Sequence, residues 1–182
     1  FVDEPEKYSV INETGTMRNL IVVRSLTKFY GFPGLRIGYL AAHADLIIKM
    51  MEYKEPWSVN ALAQCAAMTA LEDKEFISRS REFMFKERLY LFNELSGIHG
   101  FFPYKPTANY IFVKINLDGM ASSLLREQLL EHGIAIRDCS NFLGLNNKYF
   151  RVAVRTREEN MMLVSTLKTL LTKQSLRPMK IH

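Results

Sequence analysis

The order of apolar and polar residues predicts strands and helices in the first half of the chain. Apolar runs at residues 20–25 and 36–41 indicate two strands, and the β-branched first run is typical of a strand buried on both faces of a sheet. The pattern becomes helical at residues 44–53, in the Ala-rich stretch 60–71 and in the long amphipathic stretch 74–95. This half therefore predicts an α/β arrangement.

The first residues are less regular. Residues 1–3 are typical of the end of a buried strand, and the polar stretch 5–19 indicates a loop. The sequence does not begin with Met, and the predicted sheet has too few strands to cover both of its faces. We therefore expect the chain to be part of a longer protein.

The second half predicts a small α+β lobe. Strands are predicted at residues 108–114, 134–137 and 149–154, and helices at residues 122–132 and 157–172. Thr156 and Glu159 have the spacing of a capping box, which starts the last helix.

A break near residues 72–75 divides the chain. The predicted domains are part of a large domain at residues 1–73, a linking helix at 74–98, a small domain at 99–173 and a tail at 174–182.

Composition narrows the class of protein. Of 182 residues, 48% are hydrophobic and 24% charged, which is usual for globular proteins and argues against disorder, collagen or a disulfide scaffold. Two cysteines, Cys65 and Cys139, favour reduced thiols and a cytoplasmic protein, and their spacing indicates no metal site. No apolar run predicts a membrane span. The net charge of +5 favours a solvated surface over nucleic-acid binding, because no binding motif accompanies it.

The residues with candidate chemistry follow the first strand. Lys28 lies three positions after Ser25, and Arg36 eight positions after Lys28. An amine at the edge of a buried strand can be partly desolvated, which makes it a nucleophile toward aldehydes. A hydroxyl and a guanidinium can together hold a phosphate. The spacing thus suits a phosphorylated aldehyde cofactor, whereas the simpler alternatives are a surface lysine and an ion-paired arginine.

The segment RSLTKFYGFPGLRIGYL at residues 24–40 resembles the pyridoxal-phosphate lysine motif of the fold-type I aminotransferase family. It is most similar to the branch that holds histidinol-phosphate aminotransferase and L-threonine-O-3-phosphate decarboxylase. Segments 56–63, 108–110 and 136–156 favour the decarboxylase within that branch. The resemblance implies the C-terminal half of a fold-type I PLP-dependent transferase, with part of the large-domain mixed sheet and a small α+β C-terminal domain.

The resemblance also implies which residues bind the cofactor, pyridoxal 5'-phosphate. Lys28 corresponds to the lysine that is covalently linked to it and moves protons at the substrate alpha carbon. Asp3 would pair with the pyridine nitrogen, and Ser25 and Arg36 would hold the phosphate. The family often has an aromatic residue three positions after the Asp, where this chain has Glu6.

Two arginines on predicted strands of the small lobe complete the implied site. By resemblance, Arg151 binds the substrate alpha-carboxylate and Arg137 the substrate phosphate. Two guanidiniums near one site would suit a substrate with two anionic ends. Without the resemblance, a structural ion pair is the preferred interpretation of each. For Trp57, packing is preferred over a place in the site.

The implied reaction is decarboxylation of L-threonine O-3-phosphate to (R)-1-aminopropan-2-yl phosphate, which serves cobalamin biosynthesis. Histidinol-phosphate transamination is the enzymatic alternative, because pyridoxal phosphate can labilise any bond to the alpha carbon. The partners implied are a phosphorylated amino acid and a second copy in a homodimer with a shared active site, and neither nucleic acid nor membrane. A non-catalytic fragment or interaction module is the remaining alternative.

Overall fold

The computed structural model describes residues 1–2 and 4–175. These residues divide into an N-terminal unit, residues 4–79, and a C-terminal unit, which runs from Ser80 and includes Phe1. Six α-helices and six strands are described, together with one 3-10 helix. Within the described part of the chain, none of the helices combines the length and the apolar character that a membrane crossing requires.

The N-terminal unit is built on one antiparallel strand pair. Its elements are α1 (Pro5–Tyr8), a 3-10 helix (Ile11–Gly15), β1 (Ile21–Ser25), β2 (Gly38–Ala42), α2 (Ala44–Glu52), α3 (Ala61–Glu72) and the start of α4 (Lys74–Ser96). The Asn60 side chain caps α3 by accepting a hydrogen bond from the Ala63 N–H at 2.8 Å. The three long predicted helices of this half are confirmed, because their capping residues and apolar spacing agree.

Two expectations for this unit are wrong. The stretch predicted as a loop contains α1 and the 3-10 helix. Pro5 favours the start of α1, because its φ angle is fixed near the helical value. The first strand is also not buried on both faces, because β1 pairs only with β2 among the described strands and Val23 is 74% exposed. The apolar run therefore predicted a strand correctly but not its burial within this chain.

The C-terminal unit is a four-stranded antiparallel sheet packed against helices. Its strands β3 (Phe101–Pro103), β4 (Tyr110–Ile115), β5 (Arg137–Asp138) and β6 (Tyr149–Ala153) lie in the order β3-β4-β6-β5. Helices α5 (Ser122–Leu130) and α6 (Arg157–Ser175) complete it together with most of α4. Alternate residues of β4 and β6 are buried, so one face of the sheet covers the core and the other is open.

Side chains of the core come from helices α4, α5 and α6 and from strands β3, β4 and β6. The fully buried examples include Leu91 of α4, Ile111 of β4, Leu125 of α5, Phe150 of β6 and Leu167 of α6. The predicted capping box is confirmed, since the Thr156 N–H donates to the Glu159 carboxylate at 3.2 Å and the Thr156 hydroxyl accepts from the Glu159 N–H at 3.4 Å.

Three predictions for strands differ from the structure. Phe1 and Val2 form no strand, and Asp3 lies outside the described residues, as do residues 176–182 of the predicted tail. The strand predicted at 134–137 is reduced to Arg137–Asp138. Strand β3 was not predicted, because three residues that include Pro103 carry too little pattern.

Candidate functional site

The β1–β2 pair brings the candidate cofactor residues to one end of the N-terminal unit. Ser25 lies directly opposite Gly38, so the intervening segment with Lys28 and Arg36 leaves and re-enters the sheet at the same place. The start of this connection is a tight turn, in which the Tyr30 N–H donates to the Leu26 carbonyl at 3.2 Å. Local hydrogen bonds thus place the lysine just beyond the strand end, as its sequence position predicts.

Gly38 is required at this strand end. A Cβ built on Gly38 would lie 2.6 Å from the Arg24 backbone oxygen, which is closer than side-chain carbons approach backbone atoms. The missing side chain therefore lets β2 approach β1 next to Ser25.

A cavity of about 900 Å³ opens beside this end of the sheet. Its lining includes Ser25, Thr27 and Arg36, with Tyr39 on β2 and Lys49 on α2. The Ser25 hydroxyl accepts a hydrogen bond from the Thr27 N–H at 3.2 Å, and the Arg36 guanidinium donates to the Pro33 carbonyl at 3.3 Å. Hydroxyl side chains and a guanidinium among the lining residues are suitable donors for a phosphate. These residues fit the phosphate end of pyridoxal phosphate.

Arg36 has an unusual backbone conformation. Its φ angle is +50°, in the left-handed region that residues with a Cβ seldom adopt. Such conformations are typical of functional sites, where the surrounding structure holds them. The turn that begins near Gly34 thus fixes the backbone conformation of Arg36, the candidate phosphate-binding arginine.

The Lys28 side chain is more exposed than the sequence predicts. It does not line the cavity, although Thr27 beside it does. No hydrogen bond or ion pair joins Lys28 to another residue in the described part of the chain. The burial that the sequence analysis expected for this amine is therefore not supplied by residues 4–79. The proposed partner of the pyridine nitrogen, Asp3, lies outside the described residues.

The C-terminal unit pairs the two candidate substrate arginines. Arg137 of β5 lies directly opposite Arg151 of β6 in the antiparallel register. Directly opposite residues project from the same face of a sheet, and here it is the open face, because Phe150 and Val152 of β6 cover the core. The structure therefore places the two arginines side by side on the open face of the sheet.

Each of the two guanidiniums contacts uncharged groups. Arg137 donates to the Asn141 side-chain oxygen at 3.0 Å and lies over the Phe142 ring, and Arg151 lies 4.5 Å from the centroid of the Tyr110 ring. Neither forms an ion pair with a carboxylate among the side chains described for residues 1–2 and 4–172. The alternative of a structural ion pair is therefore not seen for either arginine.

Sequence reasoning assigned no role to the residues around Arg137. The Asp138 carboxylate accepts hydrogen bonds from the Ser122 hydroxyl at 2.7 Å and the Ser140 N–H at 2.9 Å. Burial alone would raise the pKa of Asp138, but these hydrogen bonds outweigh it and the pKa is lowered. Only the Asp–x–Ser spacing was available as a signal, since Ser122 is remote in sequence. Trp57 is 98% exposed and so does not pack within the N-terminal unit.

Comparison with known proteins places this geometry in a family. The family described as aminotransferase class I and II matches residues 1–167. The chain belongs to this family. Its members are PLP-dependent aminotransferases and decarboxylases, which confirms the fold class and the cofactor that the sequence resemblance implied.

Relatives with two different activities are similar to the chain. A protein of Caldanaerobacter subterraneus, provisionally named threonine-phosphate decarboxylase, is 38% identical over 93% of this chain and 46% of its own. The histidinol-phosphate aminotransferase of Methanosphaera stadtmanae is 33% identical over 89% of this chain and 45% of its own. The chain thus spans about half the length of the curated relatives it matches.

Solved structures agree on the fold. The histidinol-phosphate aminotransferase of Clostridium acetobutylicum superposes with a TM-score of 0.85 and 28% identity, and the match covers 92% of this chain and 50% of that one. This chain therefore has the fold of one half of such an enzyme.

Proposed function

We propose that the full-length protein decarboxylates L-threonine O-3-phosphate with pyridoxal phosphate as cofactor. The products are carbon dioxide and (R)-1-aminopropan-2-yl phosphate, which would serve the side chain of cobalamin. The observation that supports this most is the pairing of Arg137 with Arg151 on one open face, without a neutralising carboxylate in residues 1–2 and 4–172. Two fixed positive charges suit a substrate that carries both a carboxylate and a phosphate.

The proposed roles are those that the family resemblance implies for each residue. Ser25 and Arg36 hold the cofactor phosphate, Lys28 is the covalent attachment point, and Asp3 pairs with the pyridine nitrogen. Arg151 binds the alpha-carboxylate and Arg137 the substrate phosphate. When bound, pyridoxal phosphate draws electrons away from the alpha carbon, so that a bond to this carbon can break.

Orientation of the substrate decides which bond breaks. Decarboxylation requires the bond between the alpha carbon and the carboxylate to lie perpendicular to the cofactor ring. Two anchored anionic ends restrict the rotation that would change this angle. After carbon dioxide leaves, the alpha carbon needs a proton in its place, and the Lys28 ammonium group would supply it.

Histidinol-phosphate transamination is the second candidate function, because relatives with that name are also similar to this chain. The experiment uses purified full-length protein with pyridoxal phosphate. Carbon dioxide release from L-threonine O-3-phosphate is expected. Glutamate formation from histidinol phosphate with 2-oxoglutarate, without such release, would reject decarboxylation in favour of transamination.

The attachment residue is tested separately. Borohydride reduction should fix the cofactor onto Lys28, as peptide mapping can show, and the Lys28→Ala variant should lose both the visible colour and the label. Lys49 also lines the cavity, so Lys49→Ala is a matched control that should keep the label. A colourless wild-type protein that stays unlabelled would favour the non-enzymatic alternative.

The assembly is part of the proposal. We expect a cytoplasmic homodimer with an active site shared between the two copies. Residues 1–73 would belong to the large cofactor domain, residues 74–98 would link it to the small domain, and residues 99–173 would form the small domain. Light scattering of the full-length protein would test the dimer.

A further inference from the structure

We propose that Asn141 is a positioning residue for Arg137, which it holds ready for the substrate phosphate without reducing its charge. This inference rests on the proposed function, because it assigns a partner to an arginine of the same site. Asn141 Oδ1 accepts a hydrogen bond from Arg137 Nη2 at 3.0 Å, and both side chains are exposed. The guanidinium carbon also lies 5.3 Å from the centroid of the Phe142 ring. The hydrogen bond and the ring together restrict a long side chain that would otherwise sample many rotamers.

The turn that carries Asn141 is itself fixed. Ser140 donates to the Asp138 carboxylate through both its N–H and its hydroxyl, at 2.9 Å each. The fully buried Ser122 anchors the same carboxylate from α5, and the Phe142 N–H donates to the Cys139 carbonyl at 3.0 Å. Because the turn is bonded to α5 and to itself, Asn141 presents its amide oxygen from a defined place beside the strand.

The chemistry of an amide matters here. A carboxylate at this position would form a charge-assisted pair with Arg137 and compete with the incoming phosphate for the guanidinium. An amide oxygen orients the guanidinium and leaves its full positive charge available. Arg151 is likewise oriented by an uncharged group, since its described contact is the face of the Tyr110 ring. An anion that reaches the sheet face therefore meets two oriented charges.

Substitutions at position 141 separate orientation from charge. Asn141→Ala removes the hydrogen bond only, and we expect the Kd for L-threonine O-3-phosphate to rise about fivefold, because the guanidinium must then be ordered on binding. Asn141→Asp adds the competing carboxylate, and we expect a rise of about fiftyfold. The Kd for L-threonine, which lacks the phosphate, should change less than about twofold in both variants, because Arg151 alone binds its carboxylate.

The measurement is a titration of the full-length holoenzyme with each ligand, followed by the change in its visible absorbance. Isothermal titration of the same protein with inorganic phosphate gives a readout that is independent of the cofactor. Asn116→Asp is the matched control. Asn116 is an exposed asparagine four residues beyond Phe112 of β4, and Phe112 lies opposite Arg151 of β6. This control should keep the affinity for each ligand, and a melting curve for each variant checks that it folds.

The outcomes distinguish this inference from the proposed function. If Asn141→Asp still prefers L-threonine O-3-phosphate over L-threonine as strongly as the wild type, the positioning role is rejected and the proposed function stands. Equal weakening of both ligands would also reject it, because a general structural defect would then be the cause. If the wild type shows no such preference, the proposed function fails first.

Discussion

Glu87 of α4 and Arg157 of α6 form an ion pair across 70 residues of sequence, with three hydrogen bonds of 2.9–3.1 Å. The Glu87 side chain is only 8% exposed, whereas that of Arg157 is 45% exposed. Asn160 also donates to the Glu87 carboxylate, at 3.2 Å, and its side chain bonds both backbone polar groups of Arg155. The carboxylate thus joins α4 to the start of α6 immediately after β6.

We expect Glu87→Gln to lower the free energy of unfolding by about 2 kcal/mol, because it leaves the half-exposed Arg157 guanidinium and the buried Asn160 amide without their charged partner. Chemical denaturation of the wild type and the variant would measure the difference.

Glu94→Gln is the matched control, since Glu94 pairs with Lys168 between the same two helices at 2.9 Å but both side chains are more exposed. It should lower the free energy of unfolding by less than about 1 kcal/mol. Similar losses in the two variants would show that burial does not strengthen the Glu87 pair.

Stability should decrease in acid through two carboxylates, those of Glu87 and Glu159. The hydrogen bond from Arg157 lowers the pKa of Glu87, and that from Arg155 leads those that lower the pKa of Glu159 from 4.5 to about 2. A pKa lowered by folding gives stability that is present above the unfolded value and is lost as pH falls through the folded value. The unfolding free energy should therefore fall between about pH 5 and pH 2.

Unfolding curves recorded across this pH range would test the prediction. Glu159→Gln should give a flatter dependence than the wild type, since it removes the carboxylate whose pKa folding lowers to about 2. A variant that loses stability in acid as steeply as the wild type would contradict this assignment.

Gly38→Ala should disturb the cofactor end of the N-terminal unit. The new Cβ would meet the Arg24 carbonyl, so the strands must separate where Ser25 lies opposite. We expect a loss of roughly 2 kcal/mol in stability and a clearly weaker affinity for pyridoxal phosphate, as measured by absorbance titration.

Gly34→Ala is the control in the same connection, because no atom lies within 4 Å of its added Cβ. It should bind the cofactor like the wild type. Equal affinity of the Gly38→Ala variant would show that the close approach is not needed for the site.

Tyr110 should matter to Arg151 through its ring and not its hydroxyl. Tyr110→Leu removes the aromatic face under the guanidinium, and we expect the Kd for L-threonine to rise about threefold. Tyr110→Phe keeps the face and should bind like the wild type. If both variants weaken binding alike, the hydroxyl is the functional group and the cation–π contact is not.

Helices were the best predicted part of the fold. Stretches 44–53, 60–71 and 74–95 carry enough turns for a periodic pattern to emerge, and each helix ends within two residues of its prediction. Short strands failed because two or three residues cannot show alternation, as in β3 and β5. The prediction that β1 is buried on both faces failed, because an apolar run does not indicate whether the residues that cover it belong to the same chain.

The site divides in the same way. Ser25, Lys28 and Arg36 could be singled out because they are close in sequence on one strand–turn connection. The pairing of Arg137 with Arg151 depends on strand register, and a shift of one residue would place one of them on the other face. Asn141 was missed, since the orientation of a side chain by an amide has no sequence motif.

The opposed arginines also have a consequence for the ligand-free protein. Like charges directly opposite each other on adjacent strands repel, so the sheet edge formed by β5 and β6 carries an electrostatic cost while no anion lies between them. A dianion would cancel this repulsion when it binds. Part of its binding free energy would then come from removing the repulsion between Arg137 and Arg151.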